Sequence, residues 1–143
     1  MSSDLSRFIE SQERSYSIAL EEIKKGKKQS CWMWFIFPQI QGLGSSGMTR
    51  KYAIRNIEEA TEYLNDEVLG TRLIEICSEL LKLDSKNAYS IFGNPDQLKL
   101  HSSVTLFSQV ESANPVFKAV LEKFFDNQPD DKTLKILGDL SVK

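Results

Sequence analysis

The stretch VLGTRLIEICSELLKL, residues 68–83, decides the fold class of this chain. Its apolar side chains recur at steps of three and four, which is the spacing of one face of an α-helix. These positions are Val68, Leu69, Leu73, Ile76, Cys77, Leu80, Leu81 and Leu83. The pattern predicts a long helix with one broad apolar face.

Two similar stripes precede this stretch. The first predicts a helix over about residues 4–25, which Ser3 or Asp4 can cap and which Gly26 can end in the left-handed conformation. The second predicts one uninterrupted helix from about Thr49 to Asn65. Each stripe keeps its apolar side chains on one face.

Two further stripes follow the central stretch. They begin after Asn114-Pro115 and after Pro129-Asp130-Asp131, and proline is favoured in the first turn of a helix. Residues 88–92 have the pattern of one short helical turn. Residues 96–110 fit either a helix or a strand, because their apolar positions partly alternate.

Five helical stripes predict an all-α or mainly α fold with at most a minor β element. The chain has 143 residues, which is the usual size of one domain, and neither a linker nor a repeat divides it. We therefore expect a compact single-domain multi-helix bundle over residues 1–143. The side chains that we expect to be largely buried are Phe8, Tyr16, Ile57, Leu73, Leu80, Val120 and Phe124.

Composition and charge exclude several functions. A hydrophobic fraction of 41% and a charged fraction of 27% are typical of soluble folded chains. A net charge of -2 argues against a protein that coats nucleic acid by neutralising phosphates. The N-terminus has no apolar signal-peptide core, and no apolar run approaches the roughly 20 residues of a membrane helix. We expect a cytoplasmic protein with no nucleic-acid or membrane partner, and the sequence leaves protein partners open.

The cysteines and the histidine argue against a metal site. Cys31 and Cys77 form neither a CxxC pair nor a dense disulfide framework, so we expect two buried thiols. His101 is the only histidine, which excludes a site built from several histidines. We expect neither a metal nor a cofactor.

The densest aromatic stretch is Cys31-Trp32-Met33-Trp34-Phe35-Ile36-Phe37-Pro38-Gln39, which contains both tryptophans of the chain. One interpretation is that these side chains fill a helical core. The other is that one indole, of Trp32 or Trp34, forms with Gln39 the wall and the polar clamp of a pocket for a flat ring.

A glycine-rich turn follows directly. Residues 42–47 match G-x-G-x-x-G, but Pro38 interrupts the strand that a dinucleotide fold requires before this motif. The turn could still cradle an anion at the start of the next helix. The candidate binding residues there are Gly44, Ser46 and Arg50. The alternative is a plain connection in which Ser46 or Thr49 caps that helix.

The segment 96–103 collects an acid, an amine, an imidazole and two hydroxyls. A Ser/His/Asp triad is not supported, because sequence neighbours rarely face each other and no G-x-S-x-G elbow is present. We expect Asp96, Lys99 and Ser102 to lie near the segment 32–50. The alternative is that Asp96 caps a helix and pairs with Lys99 at the surface.

From about Leu5 to Leu137 the sequence resembles the bacterial family grouped as domain of unknown function number 1810. The matching motifs are Arg7-Phe8 with Gln12 and Tyr16, Trp32 to Gln39, Gly42-Leu43-Gly44 with Ser46, Tyr52-Ala53-Ile54, Leu69-Gly70, Arg72-Leu73, Ile91-Phe92-Gly93, Asp96, Lys99-Leu100, Ser102-Ser103 and Thr105-Leu106-Phe107. Family members usually have histidine at position 31 and often arginine at position 101, so neither Cys31 nor His101 is expected to be essential for catalysis. The resemblance implies a small, mainly helical fold without an established activity.

These motifs favour ligand binding, because they include glycine and polar positions that a helical core does not need. The first hypothesis is a pocket for an anionic small molecule that is phosphorylated or nucleotide-like. The predicted ligand-binding residues are Trp32, Trp34, Gln39, Gly44, Ser46, Arg50, Lys99 and Ser102. A further version adds hydrolysis of an N-glycosidic bond, by analogy with the helical ADP-ribose glycosidases, with Glu10 or Asp96 as the carboxylate. The alternative is a non-catalytic protein-interaction module with an apolar helical surface.

Overall fold

The computed structural model describes residues 4–141, so Ser3, one of the predicted caps, lies outside the described residues. Within that range the chain forms nine helices, and its β-structure is a single bridge between Ile40 and Ile54. The helices are α1 (Ser6–Lys24), α2 (Met33–Ile36), α3 (Gly47–Lys51), α4 (Ile57–Asn65), α5 (Leu69–Lys82), α6 (Ala88–Phe92), α7 (Asp96–Ser108), α8 (Val116–Phe125) and α9 (Asp131–Ser141). The all-α prediction is confirmed.

Helix α5 packs against α1, α4 and α8, and its apolar stripe is the centre of the core. The turn from α4 into α5 is tight, because a Cβ on Gly70 would collide with the carbonyl oxygen of Leu64. A glycine is therefore needed for the close approach of these two helices. Gly26 follows α1 with a φ of 78°, which confirms the predicted left-handed end of that helix.

Residues 49–65 do not form the single helix that the sequence predicts. The chain leaves α3 at Lys51, runs extended through Ile54 and enters α4 only at Ile57. The Ile54 amide donates to the Gln39 carbonyl at 2.8 Å, and the Asn56 side chain accepts the Glu59 amide at 2.8 Å as a cap. Ending one helix and starting another leaves backbone amides without helical partners. The contacts with Gln39 and Asn56 satisfy two of these amides, so the break is stable despite the helical spacing of the apolar residues.

Residues 96–108 form a helix, which resolves the ambiguity in that segment. Every side chain from Ser102 to Phe107 is buried. Helix α7 packs against α4, α6, α8 and α9, so its apolar residues are not confined to one face. An enclosed helix lacks the one-sided stripe that reveals surface helices in a sequence.

The buried core agrees with most of the predicted positions. Phe8, Leu73, Leu80 and Val120 are fully enclosed. Three others, Tyr16, Ile57 and Phe124, are only half-buried and pack at the edge of the core.

The two cysteines differ in exposure. Cys77 is buried on α5, as expected. The same expectation was wrong for Cys31, which is exposed because it lies in the loop before α2. No helix within residues 4–141 has both the length and the apolar character that crossing a bilayer requires.

Candidate functional site

Most of the aromatic segment is core. Trp32 is 1% exposed, and Phe35 and Phe37 are buried as well. The Trp32 ring packs against the rings of Phe37 and Phe92. The core interpretation is therefore correct for these side chains, and Trp32 does not form the wall of an open pocket.

A buried carboxylate fixes the start of this segment. Glu22 Oε1 accepts the amides of Gln29 and Ser30 and the Trp32 indole N–H, and Glu22 Oε2 accepts the Ser30 hydroxyl, at 2.5–3.0 Å. Burial would raise the pKa of Glu22, but these four hydrogen bonds together lower it to about 2. We call Glu22 with Gln29, Ser30 and Trp32 the Glu22 anchor.

A groove of about 630 Å³ lies between α7 and the segment that opens α9. One wall comes from α7 and its preceding proline, the other from residues 128–132, and Gln39 and Leu43 close a third side. The lining residues are Gln39, Leu43, Pro95, Leu98, Lys99, His101, Ser102, Gln128, Pro129, Asp130, Asp131 and Lys132. We call this cavity the α7–α9 groove.

Two hydrogen bonds hold the walls of the groove together. His101 Nε2 lies 2.6 Å from the Gln128 carbonyl oxygen, which accepts a hydrogen bond from the imidazole N–H. The His101 ring also stacks on Phe125, with centroids 4.2 Å apart and planes 9° apart. The Asp130 amide donates to Thr105 Oγ1 at 2.9 Å. The groove is thus framed by fixed contacts.

Lys99 lies on the α7 wall in a small charge cluster. Its Nζ is 4.7 Å from the centroid of the Trp34 ring and 3.5 Å from Asp96 Oδ1. The other oxygen of Asp96 lies 2.8 Å from Lys28 Nζ, which in turn stands over the Trp32 ring. The cluster has two ammonium groups and one carboxylate, so it carries one net positive charge.

The predicted site residues fall into two groups. Gln39, Lys99 and Ser102 line the groove, while Trp34 and Asp96 contact Lys99 beside it. The structure therefore brings the segment 96–102 against the aromatic segment, as the sequence predicts. The other predicted site residues do not line the groove; they are Glu10, Trp32, Gly44, Ser46 and Arg50.

The helix cap predicted in the glycine-rich turn is present. Ser46 Oγ accepts the Thr49 amide at 3.1 Å and caps α3, and Gly44 packs beside Thr49. Arg50 is exposed on α3. The turn is a capped connection, and α3 is only five residues long.

Two of the predicted polar groups have internal partners. Ser102 Oγ donates back to the carbonyls of Leu98 and Lys99, at 3.2 Å each. Asp96 is the first residue of α7 and makes ion pairs instead of capping it, so the predicted cap was wrong and the predicted pair with Lys99 is confirmed. Glu10 is exposed on α1.

Sequence reasoning did not find the second wall of the groove. Residues 128–132 carry a helix-start signal, Pro129-Asp130-Asp131, but nothing that indicates a ligand. In the sequence, His101 bears only on a metal site and on a catalytic triad, neither of which is supported. Among residues 4–141 no three His, Cys, Asp or Glu side chains converge as a metal site would require.

The fold and the groove define a class of small all-α proteins with an open surface cavity. The chain belongs to the family described as Protein of unknown function (DUF1810), whose model matches residues 2–137. It is similar to the conserved hypothetical protein Rv1873 from Mycobacterium tuberculosis, with 41% identity and a TM-score of 0.92. That similarity covers 94% of this chain and 96% of the Mycobacterium tuberculosis chain. A comparison with curated proteins found no match.

Proposed function

We propose that the α7–α9 groove binds a phosphorylated or nucleotide-like small molecule. The observation that carries the proposal is the convergence of Lys99, Gln39 and an apolar wall on one cavity of about 630 Å³. Ligand pockets are typically roughly 300–1,000 Å³, mostly apolar and supplied with a few placed polar groups. The groove lies within that size range, and it combines four apolar lining residues, Leu43, Pro95, Leu98 and Pro129, with polar and charged ones.

Lys99 is the group that would hold the anion. Lys99 lines the groove, its side chain is 21% exposed, and its ammonium contacts Asp96 and Trp34. An ammonium has three N–H donors, and the contact with Asp96 at 3.5 Å is long for a charge-assisted hydrogen bond. A phosphate oxygen would complete the coordination of this ammonium.

The apolar wall would hold the ring. Leu98 is 57% exposed at the groove, and Pro95 and Leu43 lie beside it. Covering exposed apolar surface stabilises a complex by about 25 cal/mol per Å². Gln39 supplies both an amide donor and an amide acceptor for the polar edge of a base or sugar.

Hydrolysis is not part of this proposal. A carboxylate that activates water or stabilises an oxocarbenium ion needs direct access to the substrate. Asp96 is held between two lysines at 2.8 and 3.5 Å, and Glu10 belongs to α1 outside the groove lining.

A protein-interaction module has less support. Such a module would present its apolar residues as one continuous surface. The large exposed apolar residues within the described range are Ile18, Met48, Val68, Tyr89 and Leu98. They belong to five separate segments of the chain.

A thermal-shift assay tests the proposal with AMP, ADP-ribose, ribose 5-phosphate and inorganic phosphate. A probe at 100 times its dissociation constant adds about 2.7 kcal/mol to the free energy of unfolding. We expect at least one probe to raise the melting temperature of the wild-type protein and to have a much smaller effect on Lys99→Met. The matched control is Lys118→Met, which removes an exposed lysine from α8. Equal shifts in the wild type and in Lys99→Met would contradict the proposal.

A further inference from the structure

The two walls of the α7–α9 groove carry opposite charges. On the α7 side, the cluster of Lys28, Asp96 and Lys99 has one net positive charge. On the opposite side, Asp130, Asp131 and Lys132 sum to one net negative charge. A ligand that spans the groove therefore meets an attractive field for anions at one end only.

The N-terminus of α9 would ordinarily attract a second phosphate, because its free amides and the helix dipole favour negative charge. Here the chain supplies that charge itself. Asp130 Oδ2 accepts the Thr133 amide at 3.1 Å and the Thr133 hydroxyl at 2.6 Å. Asp131 adds another carboxylate in the first turn. These carboxylates weaken the attraction of this helix end for a further anion.

We infer that the groove selects a ligand with one anionic group, which binds at Lys99. The other end of this ligand is uncharged or cationic and faces Asp131. This inference rests on the proposed function. A nucleoside monophosphate or a zwitterionic phosphate ester fits this pattern. A di- or triphosphate chain does not fit, because the groove lining has no further positive charge to balance it. The two lining lysines, Lys99 and Lys132, are already matched by Asp130 and Asp131.

The charge balance of the groove lining makes the selection depend on the length of the phosphate chain. The single phosphate of a monophosphate is matched by the ammonium of Lys99. Each added phosphate brings further negative charge into a groove whose four charged lining residues, two lysines and two aspartates, sum to zero. Like charges within one groove repel each other, and the surrounding water weakens that repulsion without removing it.

Isothermal titration calorimetry with AMP, ADP and ATP tests the inference, in metal-free buffer at constant ionic strength. The three probes share one ring and one sugar, so only the phosphate chain changes. We expect the wild-type affinity to fall from AMP to ADP to ATP. Asp131→Asn should strengthen ATP binding relative to AMP by about threefold. Asp139→Asn, which removes an exposed carboxylate near the other end of α9, should leave the AMP-to-ATP ratio unchanged.

The outcomes separate this inference from the proposed function. If ATP binds as tightly as AMP and Lys99→Met weakens both, the groove is a ligand site but the inferred charge selection is wrong. An unchanged ratio in Asp131→Asn also overturns the inference. If none of the three nucleotides binds the wild-type protein, the proposed nucleotide site and the selectivity built on it both fail.

Discussion

The Glu22 anchor and the α7–α9 groove each place a charged side chain beside a tryptophan of the same segment, but they differ in how their polar atoms are satisfied. Both oxygens of Glu22 accept hydrogen bonds, four in all, from groups within ten residues along the chain. Lys99 has one aromatic face and one long carboxylate contact, and it lies beside an open cavity. A closed set of partners serves folding, whereas an open one is available to a ligand.

The largest effect should come from Glu22→Ala. The substitution removes the acceptor of the Gln29 and Ser30 amides and of the Trp32 indole, and an unsatisfied buried donor costs roughly 1–3 kcal/mol. We expect the free energy of unfolding in urea to fall by roughly 3 kcal/mol or more. Lys99→Met should lower it by less than about 1 kcal/mol. Similar losses in both variants would erase the distinction between the two regions.

A pH titration should show the Glu22 anchor as a distinct contribution to stability. The pKa of Glu22 is lowered from 4.5 to about 2 in the folded state. A carboxyl with a depressed pKa stabilises the fold above its unfolded pKa and loses that effect as the pH falls through its folded pKa. We therefore expect the stability difference between the wild type and Glu22→Gln to shrink between pH 5 and pH 2. A difference that is constant with pH would show that Glu22 titrates normally.

The variants Trp32→Phe and Trp34→Phe make the same chemical change in the Glu22 anchor and beside the α7–α9 groove, so they compare the two regions directly. Trp32→Phe removes the hydrogen bond to Glu22 and leaves a small cavity, and we expect a loss of about 2 kcal/mol. Trp34 is only half-buried, and a phenylalanine ring still offers a face to Lys99. Trp34→Phe should cost less than about 1 kcal/mol by chemical denaturation. A larger loss of unfolding free energy in Trp34→Phe than in Trp32→Phe would show that Trp34 is the tryptophan that stabilises the fold.

The smallest effect should come from Arg50→Ala. Arg50 is exposed on α3, and exposed substitutions usually change stability by less than about 0.5 kcal/mol. Because the groove lining does not include Arg50, ligand-induced thermal shifts should match those of the wild type. If Arg50→Ala loses the ligand-induced thermal shift, the ligand site also includes the glycine-rich turn.

Helical periodicity predicts those helices that have one side on the core and one in solvent. It locates α1, α5, α8 and α9, whose apolar residues keep to one face. It fails where long-range contacts override the local pattern. The break at Ile54 depends on Gln39, and Arg7 holds the same segment through the Lys51 and Ala53 carbonyls. Nothing within residues 49–65 alone encodes these partners.

The candidate site was predicted in part for the same reason. Lys99, Ser102, Trp34 and Gln39 belong to dense motifs that stand out in the sequence. Trp32 and Trp34 are indistinguishable there, because only their tertiary partners, Glu22 and Lys99, separate them. The second wall comes from a segment about 30 residues after Lys99 in the chain. The polar residues of that segment have the sequence pattern of an ordinary helix start, which does not indicate a ligand.

The most direct test of the groove as a ligand site is a two-dimensional NMR titration of the protein with AMP. His101 is the only histidine of the chain and lines the groove, so its imidazole signals report on that cavity alone. We expect the His101 imidazole and Trp34 indole signals to shift and saturate together, while the Trp32 indole signal stays unchanged and Lys99→Met loses the response. A His101 signal that stays fixed up to millimolar AMP would contradict a nucleotide site in this groove.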